Sequence, residues 1–341
     1  MPRRYTKDHF KDRNEWLQAR PGFIGGSDVA RIVGLSRFGD ALSVYVAKTQ
    51  PVAAEPAPDF GPMYWGNKLE RAVMDGFSEM TGCTVKPNGL TLYRDRKHPI
   101  FACTPDGIIT DNARRPMGLE VKTSRIVSTW PKAPVGEIVE VGDGESGECE
   151  LPSDVFCQVQ WSLGITGFSC WYIAALLQGN DLRVYRVLPN QSDIDYLQTH
   201  AELFWEEHME PKEPPAPTAH GKPGDLLTLY PAAGDGDALE LNDETAARWC
   251  ADYLEAQDAI KAATGAKEFA SMKIKSMLQD SPAASITHDG KTWIAKWANR
   301  AGSVRFNAKE FKAKHPDLHK EFSTRGASMR AFTIKPEKGN K

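Results

Sequence analysis

Apolar side chains recur along this 341-residue chain at the two spacings that distinguish helices from strands. Between Trp65 and Thr81 they come every three or four residues, which places them on one side of a helix. Gly82 is predicted to end this helix, because glycine adopts the left-handed conformation that closes many helices. Similar spacing predicts helices over residues 8–20, from Ser27 as N-cap to Gly34, from Asp40 onward, and over residues 153–166 and 194–209.

Alternating apolar and polar side chains predict the strands, because successive side chains of a strand point to opposite faces. Strands are expected over residues 84–86, 90–93, 168–177 and 182–188, the last two joined as a hairpin at Gly179-Asn180. Apolar residues also flank the turn Pro105-Asp106-Gly107 and alternate with charged residues through Gly118–Lys122. We therefore expect a second hairpin across residues 110–117. The acidic insert 134–152 is predicted to be a hairpin or a flexible loop.

Prolines and glycines become frequent after residue 210. We assign residues 1–210 to a first domain, 211–240 to a linker and 241–341 to a basic C-terminal extension. The extension is predicted to contain one long helix or a helical pair over residues 242–265 and 267–279, a hairpin over 286–297, a basic helix opened by Asn307 and Glu310, and a strand over 330–335. Its apolar stripe at Trp249, Tyr253 and Ile260 is expected to be core or interface. Trp293 and Trp297 are expected to pack on the helices, with stacking on bases as the alternative.

Composition narrows the class of protein. Hydrophobic residues make up 41% and charged residues 26% of the chain, as in ordinary globular proteins. No apolar run approaches the roughly 20 residues of a membrane span. The first residues lack the apolar core of an export signal, and the six cysteines include no C-x-x-C pair. We expect a cytoplasmic protein with reduced thiols and no zinc ribbon.

The net charge of −3 conceals an asymmetry between the two ends of the chain. Residues 291–341 contain thirteen Lys or Arg and four Asp or Glu, which is +9, so the remainder carries −12. A basic block on an otherwise acidic protein favours a polyanionic partner, and nucleic acid is the first candidate. The alternative is a solvated helix face.

Candidate chemistry is concentrated on the second predicted hairpin. Glu120 and Lys122 share one strand face, and the hairpin brings Asp106 near Glu120. Two carboxylates suit Mg²⁺ or Mn²⁺, and a lysine beside them can orient or deprotonate a water. Such a set meets the needs of phosphodiester hydrolysis. The alternative is a salt bridge between Glu120 and Lys122, with Asp106 as a turn residue.

Other candidates lie on neighbouring segments. The sequence Gly25-Gly-Ser-Asp28 opens a helix, whose free N–H groups together with Arg20 and Ser27 can hold a terminal phosphate. The alternative is an ordinary helix cap. Gln158 lies beside the apolar face of the helix over 153–166, where it can reach the acidic site or remain on the surface. Glu70 on the helix over 65–81 is either solvent-facing or part of the site.

Six short motifs occur in order over about residues 10–210: Trp16-Leu-Gln-Ala-Arg20, Gly25-Gly-Ser-Asp28, Trp65-Gly-Asn-Lys-Leu-Glu70, Cys103-Thr-Pro-Asp-Gly107, Gly118-Leu-Glu-Val-Lys122 and Gln158-Val-Gln160. In this order they resemble the lambda exonuclease and YqaJ-like viral recombinase family of the PD-(D/E)XK nuclease superfamily. The resemblance implies an α/β fold with a restriction-endonuclease-like core, in which helices flank a mixed central sheet. Residues 241–341 would form an α+β extension beyond that core.

The resemblance also implies roles for individual residues. Asp106 and Glu120 would bind the catalytic Mg²⁺, with the Val121 carbonyl as a further ligand and Glu70 in support at a second metal. Lys122 would activate or position the attacking water. The 5′-phosphate of the digested strand would be held by Arg20, Ser27, Thr104 and Gln158. Thr104 replaces the serine of the best-known member, with the hydroxyl retained.

The family likeness implies a Mg²⁺-dependent 5′-to-3′ exonuclease on linear double-stranded DNA that leaves 3′ overhangs for recombination by annealing. It further implies a homotrimer, a single-strand annealing protein as partner, and an origin in a phage or prophage of a bacterial cell. Two departures are the insert at 134–152 and the region after 240. The alternatives are an endonuclease on the same fold and a non-catalytic DNA-binding recombination scaffold.

Overall fold

The fold is described from a computed structural model of the chain, over residues 4–51, 60–110, 114–134, 136–141, 151–234, 236–324 and 330–335. The chain divides into two compact units, Met1–Tyr230 and Pro231–Lys341. Over the described residues, no helix combines the length and the apolar character that crossing a membrane would require.

The first unit mixes helices and strands. Its strands are β1 (Tyr5–His9), β2 (Val85–Pro87), β3 (Thr91–Asp95), β4 (Ala102–Cys103), β5 (Gly107–Thr110), β6 (Pro116–Ser124), β7 (Ile138–Val141), β8 (Trp171–Leu177) and β9 (Asp181–Val187). Its helices are α1 (Arg13–Ala19), α2 (Gly26–Ile32), α3 (Ala41–Thr49), α4 (Pro62–Thr81), α5 (Ser153–Thr166), α6 (Gln191–Phe204) and α7 (Pro223–Leu229). A 3-10 turn at Arg20–Gly22 follows α1, and a π turn at Trp205–Met209 follows α6.

The central sheet has six strands in the described part of the chain, in the order β2-β5-β6-β8-β9-β7. The sheet is mixed, because β6 pairs antiparallel with β5 and parallel with β8. Strands β1, β3 and β4 form a separate small sheet. Helices flank these sheets, so the predicted α/β core with a mixed central sheet is confirmed.

Two buried tryptophans hold neighbouring elements of the core together. Trp161 on α5 donates from its indole N–H to the Ala102 carbonyl at 3.0 Å, which ties β4 to this helix. Trp171 on β8 lies against Gly118 of β6, where an added Cβ would come within 2.3 Å of the indole ring. Glycine at position 118 therefore allows the close approach that holds β6 against β8.

The main elements follow the predicted pattern. Helix α4 ends at Gly82, whose φ of +70° is left-handed, as predicted. The two hairpins of the first unit are present, and α5 spans the predicted residues 153–166. Residues 5–9 form a strand where the helix over 8–20 was expected to begin, because β1 pairs with β3. The N-cap of α2 is Gly25, so the prediction of Ser27 as N-cap is wrong.

Two segments assigned by composition are more structured than expected. Part of the insert 134–152 forms β7, which pairs in parallel with β9, while residues 135 and 142–150 lie outside the described residues. Residues 211–230, assigned to the linker, pack on α3. There the Thr218 N–H donates to Asp40 Oδ2 at 2.8 Å, and Ser43 Oγ donates to Asp225 at 2.5 Å. The first compact unit ends at Tyr230.

The second unit is built around one continuous helix. It consists of α8 (Glu244–Leu278), β10 (Ala283–His288), β11 (Lys291–Lys296), α9 (Ala308–Lys314) and α10 (Pro316–Glu321). Asn307 caps α9 as predicted, accepting from the Glu310 N–H at 3.1 Å. Residues 330–335 form no strand, so that prediction is wrong. Trp293 and Trp297 are 53% and 50% exposed. The Lys275 ammonium of α8 lies 5.7 Å from the centre of the Trp297 ring, so the expected contact with a helix is present for Trp297.

Candidate active site

The turn into β5 places Asp106 against strand β6. Its backbone N–H donates to the Leu119 carbonyl at 3.1 Å, and its Oδ2 accepts from the Val121 N–H at 2.7 Å. Leu119 and Val121 are the two neighbours of Glu120 on β6, so these contacts place Asp106 beside Glu120. The hairpin therefore brings the carboxylates of Asp106 and Glu120 to one place, as its pairing register requires.

Glu120, Lys122 and Gln158 form a closed hydrogen-bonded set. Lys122 Nζ donates to Glu120 Oε1 at 2.6 Å and to Gln158 Oε1 at 2.9 Å, while Gln158 Nε2 donates to Glu120 Oε1 at 2.6 Å. Glu120 is only 4% exposed. Since the Gln158 amide donates to the acid and accepts from the amine, it fixes the orientation of both together.

Three carboxylates act on one another electrostatically at this point. Burial raises the pKa of Asp106 well above its ordinary value, and the charge of Glu120 raises that pKa further. Burial and the Glu120 charge also raise the pKa of Glu70 on α4. Among the described residues, no group of three His, Cys, Asp or Glu side chains is compact enough to form a metal cluster. The charge of Glu120 raises the pKa of Asp106 more than the charge of Glu70 does.

Lys122 remains a cation in this setting. Burial lowers the pKa of its amine, but the charges of Glu120 and Asp106 outweigh burial and raise the pKa above its ordinary value. An amine with a raised pKa holds its proton at neutral pH. Lys122 is therefore suited to orienting a water or stabilising negative charge, and poorly suited to removing a proton.

A second polar cluster surrounds the start of α2. Arg20 Nη2 donates to Ser27 Oγ at 3.2 Å and lies 3.6 Å from Asp28 Oδ1. Asp28 is buried and pairs with the buried Lys48 at 2.9 Å, and Lys48 also donates to the Phe23 carbonyl. The Asp28–Lys48 pair anchors the loop that carries Arg20. Sequence reasoning missed Lys48, which lies on α3 with no pattern linking it to the motif.

The two clusters are joined where α2 meets α5. An added Cβ on Gly26 would lie 2.8 Å from Cγ of Gln158, so only glycine permits this approach. Ser27, the next residue of α2, is thereby held beside the side chain that binds Glu120. The structure thus brings Arg20, Ser27 and Gln158 into one continuous region.

A cleft of about 280 Å³ opens beside this region. Its polar lining includes Ser27, Arg31, Arg37, Lys122, Asp154 and Gln158. Arg31 and Arg37 were missed by sequence reasoning, although Arg31 lies one helical turn after Ser27. The Arg31 Nε is buried and has no hydrogen-bond partner within the described residues. Thr104, half-buried between β4 and Asp106, does not line this cleft in the described structure.

Comparison with known proteins gives matches in sequence and in structure. Residues 15–169 match the model of the YqaJ-like viral recombinase domain. The uncharacterized protein YqaJ of Bacillus subtilis (strain 168) is 23% identical over 334 residues, which cover 97% of this chain and 96% of that protein.

Two solved structures also match, each over little more than half of this chain. The exonuclease LHK-Exo of Laribacter hongkongensis in complex with dAMP has a TM-score of 0.42 and 17% identity, covering 57% of this chain and 91% of that one. A phage-related exonuclease from Haemophilus somnus 129PT has a TM-score of 0.37 and 14% identity, covering 55% of this chain and 96% of that one.

Proposed function

We propose that this chain, whose residues 15–169 match the model of the YqaJ-like viral recombinase domain, is a Mg²⁺-dependent exonuclease that digests linear double-stranded DNA from 5′ to 3′. The products would be 3′ single-stranded overhangs for recombination by annealing. The observation that carries the proposal is the set of Glu120, Lys122 and Gln158 closed by hydrogen bonds beside the Asp106 carboxylate. Acids and a cation gathered in this way match the requirements of phosphodiester hydrolysis.

The donor set fits a hard divalent cation. Asp106 and Glu120 would hold it, with the Val121 carbonyl as a further ligand and Glu70 in support at a second metal. The fit is supported by the raised pKa values of Asp106 and Glu70, because carboxylates that repel one another at a partly buried point are stabilised by a cation. A bound Mg²⁺ supplies neutralisation of phosphate charge and a lowered pKa for water.

Side chains of the protein do the remaining work. The Lys122 ammonium, held by Glu120 and Gln158, is placed to orient a water and to stabilise charge that develops on phosphate oxygens. The hydrogen bond that Lys122 donates to Gln158 fixes the direction in which this ammonium points. Because these groups are already hydrogen-bonded to one another, little reorganisation is needed when substrate arrives.

Directionality would come from recognition of a 5′-phosphate. We assign this to Arg20, Ser27, Thr104 and Gln158, close to the start of α2. A terminal phosphate is a dianion, so an arginine and a helix N-terminus bind it more strongly than an internal diester. Arg31 supports this assignment, because it lines the same cleft as Ser27 and Gln158 and adds a positive charge there.

Digestion of an end-labelled linear duplex tests the proposal. We expect degradation of a 5′-phosphorylated duplex with Mg²⁺, none with a chelator, and none by the Asp106→Ala variant. Asp75→Ala is the matched control, because Asp75 is exposed on α4 and forms its ion pair with the neighbouring Arg71. Cleavage of covalently closed circles would instead favour an endonuclease, and binding without any cleavage would favour a recombination scaffold.

Assembly and partners are proposed on family likeness alone. We propose a homotrimer around DNA that works with a single-strand annealing protein. Sedimentation of the chain with and without duplex tests the trimer. Co-purification with an annealing protein encoded beside it tests the partnership.

A further inference from the structure

Helix α8 carries an apolar seam with the repeat of a coiled coil. The helix has 35 residues and is therefore about 52 Å long. Steps of three and four residues alternate along it through Ala246, Trp249, Tyr253, Ala256, Ile260, Ala263, Lys267, Ala270, Ile274 and Met277. A mean repeat of 3.5 residues keeps one face turned toward a partner helix. Lys267 is the only charged member of this seam.

The seam is open to solvent within its own unit. Trp249 is 67%, Ile260 68% and Met277 78% exposed, and across the described residues of the helix only Leu278 is buried. Phe332 touches the edge of Tyr253 at 5.7 Å between ring centroids and leaves that residue 38% exposed. A face this apolar along a whole helix gains free energy when another surface covers it.

Side-chain size identifies the partner that fits. In the middle of the helix the large residues Tyr253, Ile260 and Lys267 occupy one position of each heptad, and Ala256, Ala263 and Ala270 occupy the other. Two antiparallel copies place each of these three large residues opposite an alanine, such as Ile260 opposite Ala263 of the partner subunit, and place Ile274 opposite Trp249 toward the ends. Parallel copies would place Lys267 against itself and alanine against alanine, which leaves gaps and a like-charge contact.

The distribution of charge along α8 also favours an antiparallel pair. The first half of α8 contains Asp252, Glu255 and Asp258, while its second half contains Lys267, Lys273 and Lys275. In the antiparallel register, Asp252 beside the seam faces Lys273 of the partner subunit, and the reverse pair forms by symmetry.

We propose that α8 pairs antiparallel with α8 of a second copy of this chain, centred on Lys261 and Ala262. This pairing is separate from any ring formed by the first unit: monomers would become dimers and trimers would become hexamers.

The mass of the full-length chain in solution tests the pairing without DNA or metal. We expect Ile260→Glu to halve the mass measured by sedimentation over a range of concentrations. Phe269→Glu is the matched control, because Phe269 is 58% exposed but lies off the seam, and it should leave the mass unchanged. If wild type and Ile260→Glu have the same mass, the proposal fails.

A charge exchange tests the orientation. Asp252→Lys and Lys273→Asp should each weaken the association, and the double variant should restore it, because each new lysine then faces a new aspartate across the pair. A parallel pair offers no such contact. Failure of the double variant to recover, with far-UV circular dichroism unchanged, would overturn the antiparallel arrangement. None of these outcomes depends on whether the chain is a nuclease.

Discussion

Gly26 and Gln158 are in direct contact, and that contact links the start of α2 to the acidic set on β6. An added methyl group at Gly26 would lie 2.8 Å from Cγ of Gln158 and 3.3 Å from its carbonyl oxygen. Gln158 in turn holds both Glu120 and Lys122. A displacement of Gln158 is therefore expected to shift both the residues assigned to phosphate recognition and those assigned to hydrolysis.

We predict that Gly26→Ala lowers nuclease activity by about a hundredfold while the protein remains folded, because displacements of about 1 Å at a catalytic group cost that much. The measurement is the single-turnover rate on a labelled duplex, with circular dichroism as the check on folding. Gly265→Ala is the matched control, since this helical glycine of α8 has no described atom within 4 Å of its added Cβ. Equal rates for Gly26→Ala and wild type would contradict the coupling.

A second prediction concerns the buried pair Asp28–Lys48. Burial raises the pKa of Asp28, but Lys48 and Arg20 outweigh it and hold that pKa below its ordinary value, so the acid is charged in the fold. Lys48→Met leaves this charge without its main partner and should cost about 3 kcal/mol in the free energy of unfolding. The measurement is urea unfolding followed by circular dichroism.

The double variant Asp28→Leu, Lys48→Met is the control for that experiment. It removes both charges together, so it should recover most of the stability lost by Lys48→Met alone. It should still impair recognition of 5′-phosphorylated ends, because Arg20 loses the aspartate that orients it. If the single and double variants are equally unstable, packing rather than charge explains the loss.

Local patterns were sufficient to predict α4, α5 and the hairpins, because periodicity and glycine positions report on the chain nearby. Residues 5–9 were misjudged, since their strand depends on pairing with β3, more than 80 positions away. The seam of α8 was recognised only in part, at Trp249, Tyr253 and Ile260. The placement of Lys48 and Arg37 beside the motif residues depends on how α3 and the preceding loop pack, and no local pattern encodes that packing.

A third prediction follows from the raised pKa of Asp106. The folded state binds this proton more tightly than the unfolded state, where the pKa is about 3.9. Without metal, Asp106 therefore costs stability as the pH rises from its unfolded pKa through its folded pKa, and the cost persists above that range. Asp106→Asn should raise the melting temperature in chelator at neutral pH. It should also lose the increase that Mg²⁺ gives to wild type.

Thermal melts of both proteins across pH, with chelator and with Mg²⁺, provide the measurement. The variant's advantage should shrink as the pH falls, because wild-type Asp106 then becomes neutral as well. Asp75→Asn serves as the control, since Asp75 is exposed on α4. If Mg²⁺ raises the melting temperatures of wild type and Asp106→Asn by the same amount, Asp106 does not bind the cation.

The last prediction concerns the basic block of the second unit. Residues 291–341 carry +9, and α9 presents Lys309, Lys312 and Lys314 on exposed positions. If these lysines bind DNA phosphates, changing all three to glutamine should reduce the slope of log K against log salt by about 0.9 for each phosphate that is no longer neutralised. Duplex affinity is measured in chelator, so that digestion cannot occur.

The matched control for the α9 variant neutralises three exposed lysines of the first unit, Lys11, Lys86 and Lys97, which changes the net charge by the same amount. An effect of net charge alone would alter the salt slopes of both variants alike. Direct binding of phosphates by α9 should alter only the slope of the α9 variant, because counterions are released only where a lysine neutralises a phosphate.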